Sequence, residues 1–345
     1  MELSIIHILG IIVLFTFLVF IHELGHFLMA RRHGIRVEEF GMGIPPRIWG
    51  RKVGDTLYSL NLLPVGGFVK LYGEDATDGK ALNDSQSFSS KRPWIRAQVL
   101  LAGVFMNLLF AVVVLAVIFH MGVPTLTQHP VIQQVLQDGL AQKTGLHVGD
   151  EIVKVNQQEI ANPNELVSAL VNNKNRNVTL LIDRSQELIT FETKLDSEGR
   201  LGISVANEKI VKYPWHEASY KGIVHSKDIT IQLLKGLGTF GATLIRDQKI
   251  IEGVSGPVGI AGLISESIDL GWRYVFELSG IISLNLAILN VLPLPALDGG
   301  RLLFVVIEGV TKRKVKPQTE ALVHTVGFLS LLLLIAVLTY NDIFH

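Results

Sequence analysis

From Leu3 to Ile21 the chain is almost wholly apolar: Ile5-Ile6, Ile8-Leu9, then Ile11 to Ile21 with a single Thr. A run this long and this free of charge predicts a membrane-spanning helix. Its last part carries His22-Glu23-Leu24-Gly25-His26. Helical spacing stacks residues four apart on one face, so His22 and His26 can grip one zinc ion. Glu23 lies between them and is placed to act as general base toward a water polarised by that metal. Gly25 lacks a side chain, which lets another element approach closely. Two histidines and a glutamate are costly to place within a span, and such residues read as a functional site.

The chain has 345 residues, 48% of them hydrophobic and 18% charged, which implies several spans with room for one soluble domain. Lys+Arg and Asp+Glu balance at 31 each, so net charge predicts no nucleic-acid partner. There is no cysteine, hence no disulfide and no thiolate ligand; the redox compartment stays open. The start of the chain lacks the basic region of a signal peptide, and the histidine motif lies where a cleavage site would fall.

Residues 3–30, within the first segment 1–35, form the first span. Arg31-Arg32 directly after it mark the cytoplasmic side, so the helix runs from outside to inside. Ile5 to Leu24 covers about 28 Å at 1.5 Å per residue, which puts the motif near the cytoplasmic edge of the bilayer. Residues 36–75 read as membrane-associated β-structure, because Pro45-Pro46 and Pro64 forbid a helix and glycines such as Gly41, Gly43, Gly50, Gly54, Gly66 and Gly67 are spread through it. Short strands are expected at 36–40, 47–52, 56–62 and 67–72. A sheet edge here is either a docking strand for an extended peptide or a plain cytoplasmic hairpin.

Residues 76–96 are polar and read as a cytoplasmic loop, and residues 97–119 as the second span, running outward. Gly103 and Asn107, four apart, suit close contact with the first span. Residues 124–207 form a soluble insert, outside by parity, with strands at 131–136, 151–156, 178–183 and 188–194 and a helix capped by Asn162. Ala141, Gly145, Leu146, Gly149, Asp150, Ile152, Val155 and Asn156 form a pattern that resembles a PDZ domain of the bacterial protease type. Such domains bind peptide ends or strands by edge addition; a structural plug is the alternative. Residues 226–250 have helical periodicity but contain Lys235, Arg246, Asp247 and Lys249, which suggests an interfacial amphipathic helix. Ser255 to Gly259 is expected to break the chain.

The third span and its sequel cover 275–300. Asn285 and Asn290 lie within the membrane, and Pro293 and Pro295 stop the helix, so Asp298 is expected on non-helical backbone. Arg301 and the basic residues at 312–316 place that edge inside the cell. Residues 321–340 form the fourth span. A catalytic zinc commonly has three protein ligands. Three spans before Asp298 return it to the edge where His22 and His26 lie, so Asp298 is the best third ligand, with His324 a distant rival. Were 229–245 a span, Asp298 would finish on the opposite face.

HExxH in the first span, a PDZ-like insert after the second, and Asn290-x-x-Pro293-x-Pro295-x-Leu297-Asp298-Gly299 after the third together resemble the site-2 protease family, RseP (regulator of sigma-E protease) type. The likeness covers nearly the whole chain. It implies a polytopic α-helical membrane protein of four transmembrane helices, with a membrane-associated β-hairpin loop and one inserted PDZ-like α+β domain. It also implies an intramembrane zinc metalloprotease with His22, His26 and Asp298 as ligands, Glu23 as base and Asn290 near the substrate. The β-loop, with Gly41, Gly43, Gly66 and Gly67, would hold substrate as an added strand. Implied partners are the lipid bilayer and single-span proteins already shortened outside, such as anti-sigma factors and remnant signal peptides. The implied location is the bacterial cytoplasmic (inner) membrane, with both chain ends and the PDZ-like domain outside. One departure stands: a single PDZ-like domain where the enterobacterial type has two. Two rivals remain at this point, a membrane zinc protease whose third ligand is a glutamate on another helix, and a non-enzymatic adaptor working through the PDZ-like domain.

Overall fold

The computed structural model describes residues 4–74, 84–247 and 255–344. Two compact units result, residues 1–118 with 215–345, and residues 119–214. Among the described residues of the first unit, four helices are long and apolar enough to cross a membrane. They belong to α1 (Ile5–Arg32), α2 (Pro93–Met121), α7 (Trp272–Val291) and α9 (Pro317–Phe344). The same unit contains β1 (Val37–Val53), β2 (Thr56–Leu71), α5 (Trp215–Asp247), α6 (Pro257–Leu270) and α8 (Asp298–Thr311).

β1 and β2 are long, bent strands that pair antiparallel, and each pairs with its partner twice. Phe40 faces both Val69 and Tyr58, and Leu60 faces both Met42 and Trp49. The register therefore resolves into four segments in the order 67–71, 37–44, 56–63, 47–53, close to the four short strands expected. The bends fall at Pro45-Pro46 and Pro64. Proline has no N–H, so a bend built from it leaves no unsatisfied donor in apolar surroundings. The Pro64 carbonyl accepts from the Thr16 hydroxyl of α1 at 2.8 Å, which seats this bend against the middle of the first span. Ile44, Ile48, Trp49, Leu62, Leu63 and Val65 are all exposed, an apolar rim fit for lipid.

Two clusters of buried side chains hold these elements. Phe27, Ala30, Val37, Phe40, Leu71, Val99, Leu100 and Val305 join α1, the sheet, α2 and α8. Leu14, Leu18, Ile264 and Ile282 join α1, α6 and α7. Arg96 of α2 forms an ion pair with Glu308 of α8, and Arg301 forms one with Glu74.

Several expectations need correction. The amphipathic segment begins at Trp215 rather than 226; residues 248–250 of the expected helix lie outside the described residues, as do residues 76–83 of the polar stretch expected at 76–96, whose end is already helical because α2 starts at Pro93. Of the break expected at Ser255 to Gly259, Ser255 and Gly256 are indeed non-helical, but Pro257 already opens α6, because proline's fixed φ and missing N–H suit the first helical position. The third span ends at Val291 as expected but starts at Trp272 rather than 275, and Asp298 is the first residue of α8 rather than part of a non-helical segment.

The second unit has β3 (Val123–Val135), α3 (Leu140–Thr144), β4 (Glu151–Val155), β5 (Gln158–Glu159), α4 (Pro163–Asn172), β6 (Asn177–Arg184), β7 (Glu187–Lys194) and β8 (Ile203–Val211). The sheet order is β7-β6-β4-β3-β8, with β5 against β4. β3 starts well before the expected 131, and β5 and β8 escaped the sequence reading. Ile132, Ile152, Val155, Leu180 and Ile182 of the sheet pack with Leu166, Ala169 and Leu170 of α4 in one core. This is the α+β, PDZ-like insert. Its Gly-Asp motif has a clear physical role. Gly145 and Gly149 adopt φ of +83° and +95°, which an L side chain resists. Asp150 is 1% exposed and accepts from Arg184 Nε and Nη2 at 2.7 Å each, and from the His147 N–H at 2.8 Å.

Burial alone would raise the Asp150 carboxyl, but the Arg184 guanidinium and the His147 N–H outweigh it and hold the group below the usual carboxylate range. This contribution to stability is present above the unfolded value near 4 and is lost as pH falls through the lowered folded value. Asp150→Ala should destabilise the unit by about 1–3 kcal/mol. Hydrogen exchange on the intact chain checks this, as faster exchange in β4 and β6 at neutral pH. The difference from wild type should shrink in acid.

Candidate metal centre and active site

α1 and α2 cross in closer contact than side chains would permit. A Cβ at Gly25 would collide with the Ala102 carbonyl, and a Cβ at Gly103 would collide with His26 Nε2 and lie 2.7 Å from His22 Cε1. The two glycines thus let the α2 backbone lie directly on the histidine face of α1. His22 and His26 are each 7% exposed. His26 Nδ1 donates to the Val99 carbonyl at 2.8 Å, which leaves its Nε2 as the ligating nitrogen. The amide of Asn107 lies 3.3 Å from His22 Nδ1.

Asp298 arrives from the far end of the sequence. Its Oδ2 lies 2.8 Å from His22 Nε2 and 3.1 Å from His26 Nε2, and the two Nε2 atoms are 3.0 Å apart. Ligands at about 2.1 Å around a tetrahedral zinc are about 3.4 Å from one another, close to this spacing. Two neutral imidazole nitrogens and one carboxylate oxygen are also a donor set that zinc accepts. The residues therefore fit the metal. Among the described residues this is the one group of three such side chains placed to hold an ion.

The loop before Asp298 explains how it gets there. Gly299 and Gly300 would collide with the Leu292 and Leu294 carbonyls if they carried a Cβ, so α8 begins hard against the end of α7. Ala296 sits at φ +74°, a strained value for a residue with a Cβ. Its N–H donates to His324 Nδ1 at 2.9 Å. His324, the rival ligand of the sequence reading, thus fastens the loop from α9 instead of binding metal.

A cavity of about 340 Å³ opens beside the cluster, lined by Glu23, His26, Phe68 to Leu71, Glu74, Val99, Leu100, Asp298 and Arg301. Glu23 borders the cavity beside the Val69 backbone. Segment 67–71 is an edge of the sheet, so its outward backbone groups face this cavity. Of the four glycines expected to touch substrate, Gly67 lies near Glu23, with a Cβ position 3.9 Å from Glu23 Cγ. Gly43 and Gly66, at φ +79° and +78°, shape the bends, and Gly41 makes room for the Phe68 ring. Asn290, on the last turn of α7, is half-buried and is not among the residues lining the cavity. Sequence reasoning missed Val99, Lys70, Glu74 and Arg301. For Gly103 and Asn107 it saw the spacing without the metal.

A multi-pass membrane protein with a His-His-Asp centre beside a glutamate and an open strand edge is a membrane metallopeptidase by construction. The model of peptidase family M50 matches residues 10–334, and the chain belongs to that family, the site-2 protease type of zinc-dependent peptidase. It is 31% identical to zinc metalloprotease RasP of Geobacillus kaustophilus, with 97% of each chain covered. It is 29% identical to regulator of sigma-W protease RasP of Bacillus subtilis, covering 97% of this chain and 98% of that one. Among solved structures, the PDZ domain of the SdrC-like protein from Listeria monocytogenes covers 24% of this chain at 17% identity and a TM-score of 0.22, too low to decide anything.

Gly103→Ala tests the close crossing. The added methyl must displace both imidazoles, so zinc per purified chain should fall well below one and peptidase activity by about 100-fold or more. Full zinc occupancy in this variant would mean that α2 does not constrain the histidines.

Proposed function

We propose that the chain cleaves transmembrane segments of single-span proteins within the bilayer, close to its cytoplasmic edge. The observation that carries this is the meeting of His22, His26, Asp298 and Glu23 beside the open edge at 67–71, on helices fit to span a membrane. His22, His26 and Asp298 would hold zinc. When bound, zinc supplies Lewis-acid polarisation of the scissile carbonyl and of the attacking water. Glu23 takes a proton from that water and returns it to the leaving amine nitrogen. A helical substrate hides its carbonyls in its own hydrogen bonds and must unwind before it is cut. The edge at 67–71 offers main-chain groups to the segment so released, which would otherwise lack partners in lipid. Substrate spans with Gly, Pro or polar residues should unwind most readily.

Arg31, Arg32, Lys312, Arg313, Lys314 and Lys316 flank the spans on what we take as the cytoplasmic side. Both chain ends and the PDZ-like domain are then outside, in a bacterial cytoplasmic membrane. Substrates already shortened outside, such as anti-sigma factors and remnant signal peptides, fit a site that receives one span at a time. The Bacillus relative is a regulator of sigma-W protease by name, which supports a substrate that acts in sigma-factor control.

Glu23→Gln should keep about one zinc per chain and lower cleavage of a reconstituted single-span reporter by at least about 100-fold. Asp298→Ala should lose zinc and activity together. Cleavage near wild type by Glu23→Gln would remove Glu23 from the mechanism. Val69→Pro deletes the N–H beside Glu23; it should retain zinc yet cut the helical reporter at least about tenfold more slowly. A short, already extended peptide should suffer less.

A further inference from the structure

We propose that Asn107 is the positioning residue of His22: its side-chain oxygen accepts from the His22 Nδ1–H and so commits Nε2 to the metal. The inference rests on the reading of His22 as a zinc ligand. Val99, Gly103 and Asn107 recur every four residues on α2 and form one stripe along the helix face that meets α1. Each does a different thing to the histidines. The Val99 carbonyl accepts from His26 Nδ1 at 2.8 Å, Gly103 makes room for both rings, and the Asn107 amide lies 3.3 Å from His22 Nδ1.

The Val99 contact can have one polarity only, since a carbonyl cannot donate. The Asn107 contact can have either, since an amide carries an oxygen and an NH2 that exchange places on a half-turn about Cβ–Cγ. In this structure Asn107 Nδ2 faces His22 Nδ1 at 3.3 Å, which suits a ring whose Nε2 donates to Asp298. With His22 Nε2 ligating zinc, the ring proton sits on Nδ1, and the amide oxygen must face it. An asparagine serves both tautomers from one position.

Two further observations separate this from simple packing. Asn107 is 0% exposed, and its Oδ1 has no hydrogen-bond partner among the described residues. An amide buried with one end unpaired is costly, and a leucine would fill the space without that cost. Its backbone is also fixed from a third helix, since the Asn107 carbonyl accepts from the fully buried Ser283 hydroxyl of α7 at 2.9 Å. α7 leads through the Leu292–Leu297 loop to Asp298, so the residue that faces His22 and the helix that carries the third ligand are tied together.

The test is zinc affinity of the full chain in detergent, by competition with chelators of graded strength, for wild type, Asn107→Leu and Asn107→Asp. Thermal unfolding of the metal-free proteins is recorded alongside. Asn107→Leu should bind zinc 10- to 100-fold more weakly. Asn107→Asp, which keeps an acceptor, should bind at least as tightly as wild type. Cobalt in place of zinc should show altered visible absorption in the leucine variant and little change in the aspartate variant. Wild-type affinity in Asn107→Leu, with or without lower thermal stability, would reduce Asn107 to a packing residue. Should Asn107→Leu not fold, Asn107→Asp decides: a loss of tenfold or more overturns the proposal. Absence of zinc from the wild type would instead overturn the zinc reading, whereas loss in Asp298→Ala with wild-type binding in Asn107→Leu overturns this inference alone.

Discussion

The close crossing of α1 and α2 is the constraint on which the rest of the structure depends. With no Cβ at Gly25 or Gly103, the helices approach until a backbone carbonyl of α2 can hold His26 directly. Inside a membrane there is little hydrophobic gain from bringing two apolar helices together, so small residues and polar contacts must supply the attraction. Here the same contacts orient the metal ligands. Packing and chemistry use the same atoms, and a substitution at the crossing disturbs both.

The third ligand shows the opposite problem, since 272 residues separate it from His26 in sequence. Asp298 is delivered by a short, stiff path: the end of α7, a loop with two prolines, and an abrupt start of α8 in which two glycines permit contact with the loop's carbonyls. His324 holds the one strained residue of that loop. At the other end of α8, Glu308 pairs with buried Arg96 of α2. Both ends of the helix that carries Asp298 are therefore tied to elements around the histidines.

The β-structure solves a different difficulty. Irregular backbone at membrane depth is tolerated only where its polar groups find partners. Two strands, each pairing twice, satisfy the interior segments of the sheet, and prolines remove donors at the bends. Only the outer segments keep free edges. One of these, at 67–71, faces the cavity beside Glu23, where an incoming backbone would be its natural partner.

The sequence by itself determined the class of protein. Apolar runs, flanking positive charge, HExxH spacing and a span count placed three ligands on one edge of a membrane, because helical period and bilayer thickness are local rules. The PDZ-like motif was legible for the same reason: its glycines and aspartate act within one turn. The tertiary structure decided what lies around those ligands. That Val99 contributes a carbonyl, that His324 holds a loop, that Asp298 opens a helix and that Gly67 rather than Gly41 adjoins Glu23 all depend on which faces of distant elements meet. Hydrophobic period reports that a residue is buried. It does not report the partner, and for polar groups in a membrane the partner determines the role.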